Sequence, residues 1–532
     1  MPSDPAAIGS IVVITREYGT LAGAGGVKDV ARQLALALAG SGRRVLVILP
    51  RYGFMEPRDL GFAPAAGLTF ELDLSYPQEE RRESVSVWRR TEGGVEVYLL
   101  ESPRFAEKLG VYTYTAQEER RNPDHRQGRG HYDYFAMNVL LQKAALCLLI
   151  SISERPAVIH CHDGHAALTP ALIREVDGFR HYFRDSGCLV TIHNAGLGYH
   201  QEVADLPFAQ RITGLPLRVI AGHLLNGAFD PFLAAASYAA LNTVSENYAR
   251  ELRETDADAL TGWLGHALKK RGVILQGITN GIDPADFDLT NYQALGLPAG
   301  FTPGQPPPAG QRAGKEVCRE ELGLAIAQRR LAGIRQDGGL DFRPGQPLFT
   351  FIGRLSTQKG VDKMIEALKY LLPIDRDFQI LIMGSGQPEI EEALIAMSRD
   401  PRHHGRLCLL RGFDPQLANW VYAAGDFFLI PSRYEPCGLT DFIAQLFANL
   451  PVVHHVGGLV KVVDGETGFA FHEFSGLALA EAMRRAMRLY RGSPPELLAM
   501  QRAAVGLIRE RYTWDKVRER YLELYAVARE AI

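Results

Sequence analysis

The stretch IVVITREYGTLAGAGGVKDVARQLALALAGSGRRVLVIL (Ile11–Leu49) decides the fold. An apolar run of strand length, Ile11 to Ile14, precedes a glycine-rich loop, Gly19 to Gly26, a helical segment, Val27 to Ala39, and a second apolar run, Arg44 to Leu49. Strand, crossover helix and strand make a βαβ opening, which commits the sheet to parallel pairing. The alternation returns at Ala157 to His160, Ala166 to Ile173 and Leu189 to Ile192, so the first half reads as a doubly wound parallel sheet. After Ile274 to Asp283 the composition turns to Pro, Gly and Gln, notably Pro298 to Gly314, which reads as a linker or surface excursion. A second series of strand-sized runs follows at Leu348 to Ile352, Gln379 to Met383, Leu407 to Arg411, Asp426 to Ile430 and Pro451 to Val453, separated by helical segments such as Gly360 to Leu371. The expected division is an N-terminal Rossmann-like domain over 1–285, a linker or insertion over 286–345, a second Rossmann-like domain over 346–500, and a C-terminal helical segment, 501–532, packing back on the first. A chain of 532 residues exceeds what one core usually supports, so two domains facing a cleft are expected.

Composition narrows the class of function. With 46% apolar and 22% charged residues the chain is an ordinary globular protein, and its 53 glycines and 30 prolines signal turns rather than disorder. A net charge of −3 from 58 basic and 61 acidic residues offers no chain-wide attraction to nucleic acid or an anionic membrane. A small or neutral polymeric substrate fits better. Cysteines 147, 161, 188, 318, 408 and 437 lack CxxC spacing, which argues against a zinc site or disulfide framework and suits a reducing compartment. No basic n-region precedes Ile11–Ile14, so neither a signal peptide nor a membrane span is expected, and the cytoplasm is the expected location.

Five constellations carry chemistry. In Pro431-Ser432-Arg433-Tyr434-Glu435-Pro436-Cys437-Gly438-Leu439-Thr440, directly after Phe427–Ile430, a carboxylate sits in a turn between a strand and a helix that opens near Thr440. That turn delivers Glu435 to the carboxyl end of a sheet, where open α/β folds bind ligands; the plainer alternative is a helix-capping carboxylate. Gly457-Gly458-Leu459 and Gly468-Phe469 follow as loops of the same domain. Gly353-Arg354-Leu355-Ser356-Thr357-Gln358-Lys359-Gly360 places two cations five residues apart at a helix start, a pattern suited to a diphosphate, although a solvated basic turn would look alike. Gly384-Ser385-Gly386 lets backbone approach a nucleotide or merely ends a strand. Glu17 with Gly23-Ala24-Gly25-Gly26-Val27-Lys28-Asp29-Val30 resembles a phosphate cradle without full GxGxxG spacing, or a sharp turn. Finally, His160-Cys161-His162-Asp163-Gly164-His165 and Thr191-Ile192-His193-Asn194 each end a strand; their spacing is not that of metal ligands and better suits hydrogen bonds to sugar hydroxyls or phosphate, the plainer alternative being buried histidines satisfied by backbone.

Together these pieces resemble the glycogen and bacterial starch synthases, retaining glycosyltransferases of the GT-B fold. The resemblance also takes in Leu49-Pro50-Arg51-Tyr52, Thr243-Val244-Ser245, Thr279-Asn280-Gly281-Ile282-Asp283 and Tyr512-Thr513-Trp514 with Tyr521 and Tyr525, and so spans nearly the whole chain. It implies an α/β architecture of two Rossmann-like domains facing a cleft, with a C-terminal helix crossing back and domain closure needed for activity. It implies transfer of glucose from a nucleotide sugar, usually ADP-glucose in bacteria, to the nonreducing 4-hydroxyl of an α-1,4-glucan with retention, using neither metal nor cofactor. Carried over by position, Arg354 and Lys359 would hold the diphosphate as it leaves and Glu435 the sugar near the reacting carbon, with Asp163, His193 and Asn280 completing the donor and acceptor side. Glu17, Gly25, Gly26, Lys28, Asp29, Gly384, Cys437, Gly438, Leu439 and Thr440 would line the donor.

This sequence departs from the family at several points. Gly23 stands where the family has a lysine, and Lys28, in the first helical turn, is positioned to lean toward the same phosphate. Gly164 replaces a tryptophan, Asp441 a glutamine, and His454-His455-Val456 a basic residue and threonine. These departures keep open a UDP-glucose donor, a different acceptor in another retaining GT-B enzyme, and a noncatalytic glucan-binding homologue.

Overall fold

The computed structural model describes residues 8–530, which form two compact units. Unit 1 runs through Gly281 and resumes at Trp514; unit 2 is Ile282–Thr513.

Unit 1 is built on a nine-stranded sheet in the order Leu275–Gly277, Ala240–Thr243, Gly187–Ile192, Val158–His162, Ser10–Ile14, Arg44–Pro50, Val95–Glu101, Arg82–Glu92 and Ala63–Asp73. The first seven strands run parallel, with Val13 opposite both Val47 and His160. The last two add antiparallel at one edge, so the all-parallel expectation is corrected there. The reason is exposure. Arg82–Glu92 buries only Val85 and Val87 and turns the rest of its length toward solvent, as an antiparallel edge permits. The polar, charged stretch before Gly130 opens with a short helix, Ala116–Arg121, started by a reciprocal Thr115/Glu118 capping box. Helix Tyr134–Ser151 is long and apolar enough to cross a membrane, yet 72% of it is buried inside the fold, where it serves as a core helix. The C-terminal helix, Trp514–Glu530, lies against Gly187–Ile192 and the helix Val27–Gly40. Gly187 is glycine because a Cβ there would stand 2.8 Å from the backbone of Ala528. Trp514 Nε1 donates to Gln33 Oε1 at 2.5 Å.

Unit 2 carries a seven-stranded sheet in the order Arg335–Gly338, Leu407–Arg411, Gln379–Met383, Leu348–Ile352, Phe427–Ile430, Leu450–His454 and Phe469–Phe471. Only the first strand is antiparallel to its neighbour. The segment expected as a linker, 286–345, is part of this unit. Leu289, Leu297 and Cys318 share a core with Phe428, Ile430 and Phe447, and residues Gly314–Ala327 form a helix. Buried Arg319 fastens that helix by donating to Asp426 Oδ2 at 3.1 Å and to the Gln346 carbonyl at 2.6 Å. Lys315 donates to the carbonyls of Ala423 and Phe447, which close two other helices. Residues 501–513 likewise stay with unit 2, completing the helix Pro494–Leu507 and the π-turn Ile508–Tyr512. Among the described residues all six cysteines are free.

Candidate functional site

In unit 1 the chain starts at an interior strand, winds to one side and then crosses to the other; in unit 2, after the edge strand Arg335–Gly338, it does the same from the interior strand Leu348–Ile352. In unit 2 the reversal lies between Leu348–Ile352 and Phe427–Ile430; in unit 1 it lies between Ser10–Ile14 and Val158–His162. Loops leaving the carboxyl ends of such a strand pair splay apart, and the crevice they leave is where open α/β sheets bind ligands.

At the unit 2 switch point those loops are Gly353–Gly360 and Pro431–Thr440. Gly360, at φ 68°, starts the helix Val361–Ile374, and a Cβ there would lie 1.8 Å from the Pro431 carbonyl oxygen, so only glycine lets the two loops meet. Lys359 Nζ then reaches Glu435 Oε2 at 2.6 Å, and Ser432 Oγ donates to the same oxygen at 2.9 Å. No hydrogen bond reaches Glu435 Oε1 among the described residues. Burial pushes the Glu435 carboxyl up, but the Lys359 charge and hydrogen bond, the Ser432 bond and the Lys461 charge together hold it below its ordinary value. Glu435, only 12% exposed, is therefore an ionised carboxylate with one oxygen fixed. Arg354 is exposed and takes no partner among the described residues. The Gly384–Gly386 turn lies alongside it: Leu355 donates to the Ser385 carbonyl at 3.0 Å, and a Cβ on Gly384 would stand 1.8 Å from the Gly353 oxygen. Leu439 and Thr440 open the short helix Thr440–Leu446.

Lys461 is a site residue that the sequence does not reveal. Its buried ammonium donates to the carbonyls of Cys437 at 2.6 Å, Gly438 at 2.7 Å and Gly458 at 3.0 Å, spending three protons on two loops. Asp441, fully buried, pairs with it at 3.1 Å; burial raises the Asp441 carboxyl to about 6, against the opposing pull of Lys461. Gly457 and Gly458 allow this knot, since a Cβ on either would stand 2.0 Å from the carbonyl oxygen of Glu435 or Cys437. His454 Nδ1 holds the Ser432 carbonyl at 2.8 Å.

At the unit 1 switch point Glu17 is buried and committed to its own loop. Its Oε2 accepts from the amides of Ala24 at 2.7 Å and Gly25 at 3.1 Å, and its Oε1 from the Tyr112 hydroxyl at 2.8 Å. Glu17 thus shapes the glycine loop instead of presenting a free carboxylate. Gly25 faces open space, whereas Gly26 caps the helix at φ −73°, a conformation any residue adopts. Lys28 pairs with Asp29 at 2.7 Å, and its Cδ lies 2.2 Å from where a Cβ on residue 23 would be. The Lys28 side chain occupies the space that a side chain at Gly23 would enter. Arg16, also missed in the sequence, is buried beneath: its guanidinium bonds Tyr52, Asn138 and the Val111 carbonyl, and its amide donates to His165 Nε2 at 3.2 Å.

Asp163 sits at φ 57°, a left-handed conformation that its short polar side chain tolerates, and accepts the His193 amide on Oδ1 at 2.7 Å. Burial, helped by the Glu17 charge, pushes its carboxyl up to about 8 against the amide bonds of His193 and Asn194. His162 Nδ1 and His193 Nε2 share a hydrogen bond of 2.7 Å, and His160 is held between Tyr525 and Thr191. Burial drives all three imidazoles well below their ordinary value, so they are neutral at neutral pH. Gly164 cannot carry a tryptophan here, because a Cβ would stand 2.3 Å from the His200 carbonyl oxygen. Asn280 is buried, with no hydrogen bond on Oδ1 among the described residues.

Known proteins share this organisation. Residues 10–267 match the starch synthase catalytic domain and residues 346–488 the glycosyl transferases group 1 family. A glycogen synthase of Anaeromyxobacter dehalogenans (strain 2CP-C) is 33% identical over 97% of this chain and 98% of its own, and one of Vibrio cholerae serotype O1 is 28% identical over 96% and 97%. Among solved structures, the catalytic domain of starch synthase IV from Arabidopsis thaliana, bound to ADP and acarbose, superposes with a TM-score of 0.78 at 24% identity, covering 98% of this chain and 99% of that one. A sucrose-phosphate synthase from Thermosynechococcus elongatus gives 0.55 at 17% identity over 97% and 98%. These structures share the GT-B fold, two α/β units with parallel sheets. With a full-length relative above 30% identity and both family matches in register with the two units, the chain is a glycosyltransferase enzyme and belongs to the glycogen synthase family.

Proposed function

We propose that the chain transfers glucose from ADP-glucose to the nonreducing 4-hydroxyl of an α-1,4-glucan, with retention at the anomeric carbon. The observation that carries this reading is the unit 2 switch point, where Arg354, Lys359 and an ionised Glu435 share one crevice edge. Breaking a glycosyl–phosphate bond builds negative charge on the leaving phosphate and positive charge on the sugar. Cations suit the first and a carboxylate the second. Arg354 has its guanidinium unspent and is the bidentate ligand for the diphosphate. Lys359 adds charge there while fixing Glu435. These cations serve the departing phosphate, so neither metal nor cofactor is assigned, and the nucleotide sugar is a substrate.

In unit 1 the groups Asp163, His193 and Asn280 are uncharged at pH 7, the first because its carboxyl titrates at about 8. Uncharged donors and acceptors suit sugar hydroxyls. Asp163 gains a charge as pH rises through about 8, so kcat/KM is expected to fall on that limb, and Asp163→Asn to flatten it; an unchanged alkaline limb in the variant would remove Asp163 from the site. Lys28 supplies the phosphate contact that Gly23 lacks. A charge-assisted hydrogen bond is worth roughly 1.5–3 kcal/mol, so Lys28→Ala should raise KM for the donor about 10–100-fold with little change in kcat, whereas an unchanged donor KM would reassign Lys28 to its Asp29 pair.

Adenine as the base follows the resemblance to bacterial glycogen synthases, and the cytoplasm is the location we assign. The test is radiolabelled transfer onto glycogen from ADP-glucose and UDP-glucose in parallel, followed by digestion with an α-1,4-specific glucanase. Label entering from ADP-glucose and released by the glucanase supports the assignment. Faster transfer from UDP-glucose, or label resistant to the glucanase, would replace the donor or the linkage.

A further inference from the structure

Unit 1 carries one turn whose construction the preceding chemistry does not use. Asp258, fully buried, accepts the amides of Gly265 at 3.0 Å and His266 at 2.8 Å, the Thr261 hydroxyl and His266 Nδ1. Four donors on one carboxylate fix residues 258–266 rigidly. At the tip of this turn Trp263 stands at φ 70°, ψ 30°, a left-handed conformation that is costly for a bulky side chain. Its amide is tied to the Asp258 carbonyl at 3.0 Å and its carbonyl accepts from Ala267 at 3.0 Å, so the strain is held from both sides. The indole is not used to fill the core. It is 43% exposed, and the His266 ring packs edge-on against it at 5.1 Å.

A second segment meets the turn. Leu197 donates its amide to the Leu260 carbonyl at 3.3 Å, and its side chain is close enough that a Cβ on Gly262 would lie 3.1 Å from Leu197 Cδ2. Leu197 is 65% exposed, and Tyr199 and Leu260 are exposed as well. Four large apolar side chains left in water on two joined segments are what a binding surface looks like, since folding alone gains nothing by displaying them. The segment is continuous with the candidate site: Leu197 lies three residues beyond Asn194, whose Oδ1 accepts the Gly196 amide at 2.8 Å, and the Tyr199–His200 backbone passes against Gly164.

We propose that Trp263, with Leu197, Tyr199 and Leu260, forms a stacking platform for the glucan chain. The proposal rests on the glucan-transfer reading above. The C–H faces of pyranose rings are apolar and flat, and aromatic rings with one exposed face bind them without charge, as a neutral polymer requires.

The test uses the full-length protein with Trp263→Gly and Trp263→Phe, read by retardation on glycogen-containing native gels and by KM for glycogen against KM for the sugar nucleotide. Glycine relaxes the backbone at φ 70°, so its stability should not fall, while the platform is lost. Retardation should drop and KM for glycogen rise by about tenfold, with donor KM and kcat at saturating glycogen unchanged, and phenylalanine should restore most of the effect. A Trp263→Gly protein that binds glycogen as the wild type does, in a wild type that transfers glucose, would overturn the platform alone. A wild type that is neither retarded by glycogen nor active on it would overturn the platform together with the reading beneath it.

Discussion

Replacing Lys359 with alanine is expected to lower glucose transfer by about 10²–10³-fold, the usual loss when one preorganised charge is removed from a developing oxyanion, and also to destabilise unit 2. Both follow from one contact. Lys359 is the cation nearest Glu435, at 2.6 Å, and that carboxylate is largely buried. Without the ammonium, burial remains and its main opponent is gone, so the Glu435 carboxyl moves upward and its acid limb moves with it. The sign is fixed by the native state. With its folded value below the unfolded one, Glu435 contributes stability above its ordinary value of 4.5, lost as pH falls through the folded value; in Lys359→Ala the folded value moves up toward the unfolded one and that contribution shrinks. Arg354→Ala is the matching control. Arg354 is exposed and has no partner among the described residues, so its loss should cost a similar factor in rate with no change in melting temperature. Equal destabilisation by both substitutions, or activity surviving either, would contradict the roles assigned.

The second large effect is expected at Lys461, whose buried ammonium is spent on the protein's own carbonyls. Lys461→Met strips the donor from three buried carbonyls and leaves Asp441 without its counter-ion. Breaking a buried pair from one side costs about 3–5 kcal/mol, which for a unit of this size is a fall in melting temperature of about ten degrees. The surviving fold should turn over slowly, because Cys437 and Gly438 directly follow the Glu435 turn. Asp441→Asn should cost much less, since Lys461 keeps its three carbonyl partners. Thermal denaturation of the two variants gives the order, and the reverse order would show that the charge pair, and not the tie between loops, holds this region.

The residues that sequence could reveal are those whose job is set by their neighbours in the chain. Glu435 after an apolar strand, and Arg354 and Lys359 at a helix start, are local patterns, and the structure places all three at one switch point. Lys461 was invisible because its partners at 437, 438 and 441 come to it through a glycine-lined turn that only the fold creates. Arg16 escaped for the same reason, its partners lying on four separate segments. Residues 286–345 were misread because Pro and Gly dominate part of the stretch, while the features that bind it to unit 2, Arg319 to Asp426 and Cys318 among aromatic side chains, are long-range. The antiparallel edge of unit 1 was passed over because its strands bury too few side chains to form continuous apolar runs. Glu17 looked like a ligand-facing carboxylate, and the structure shows it spent on amides of its own loop.

The central claim is that this chain moves glucose from ADP-glucose to glycogen using Arg354, Lys359 and Glu435. It is tested most directly by measuring radiolabel incorporation into glycogen by purified wild type and Glu435→Gln side by side, with melting temperatures recorded for both. Robust incorporation by the wild type, abolished in a Glu435→Gln protein that still folds, is the predicted result. A folded wild type that incorporates no label, or a Glu435→Gln protein as active as the wild type, would contradict it.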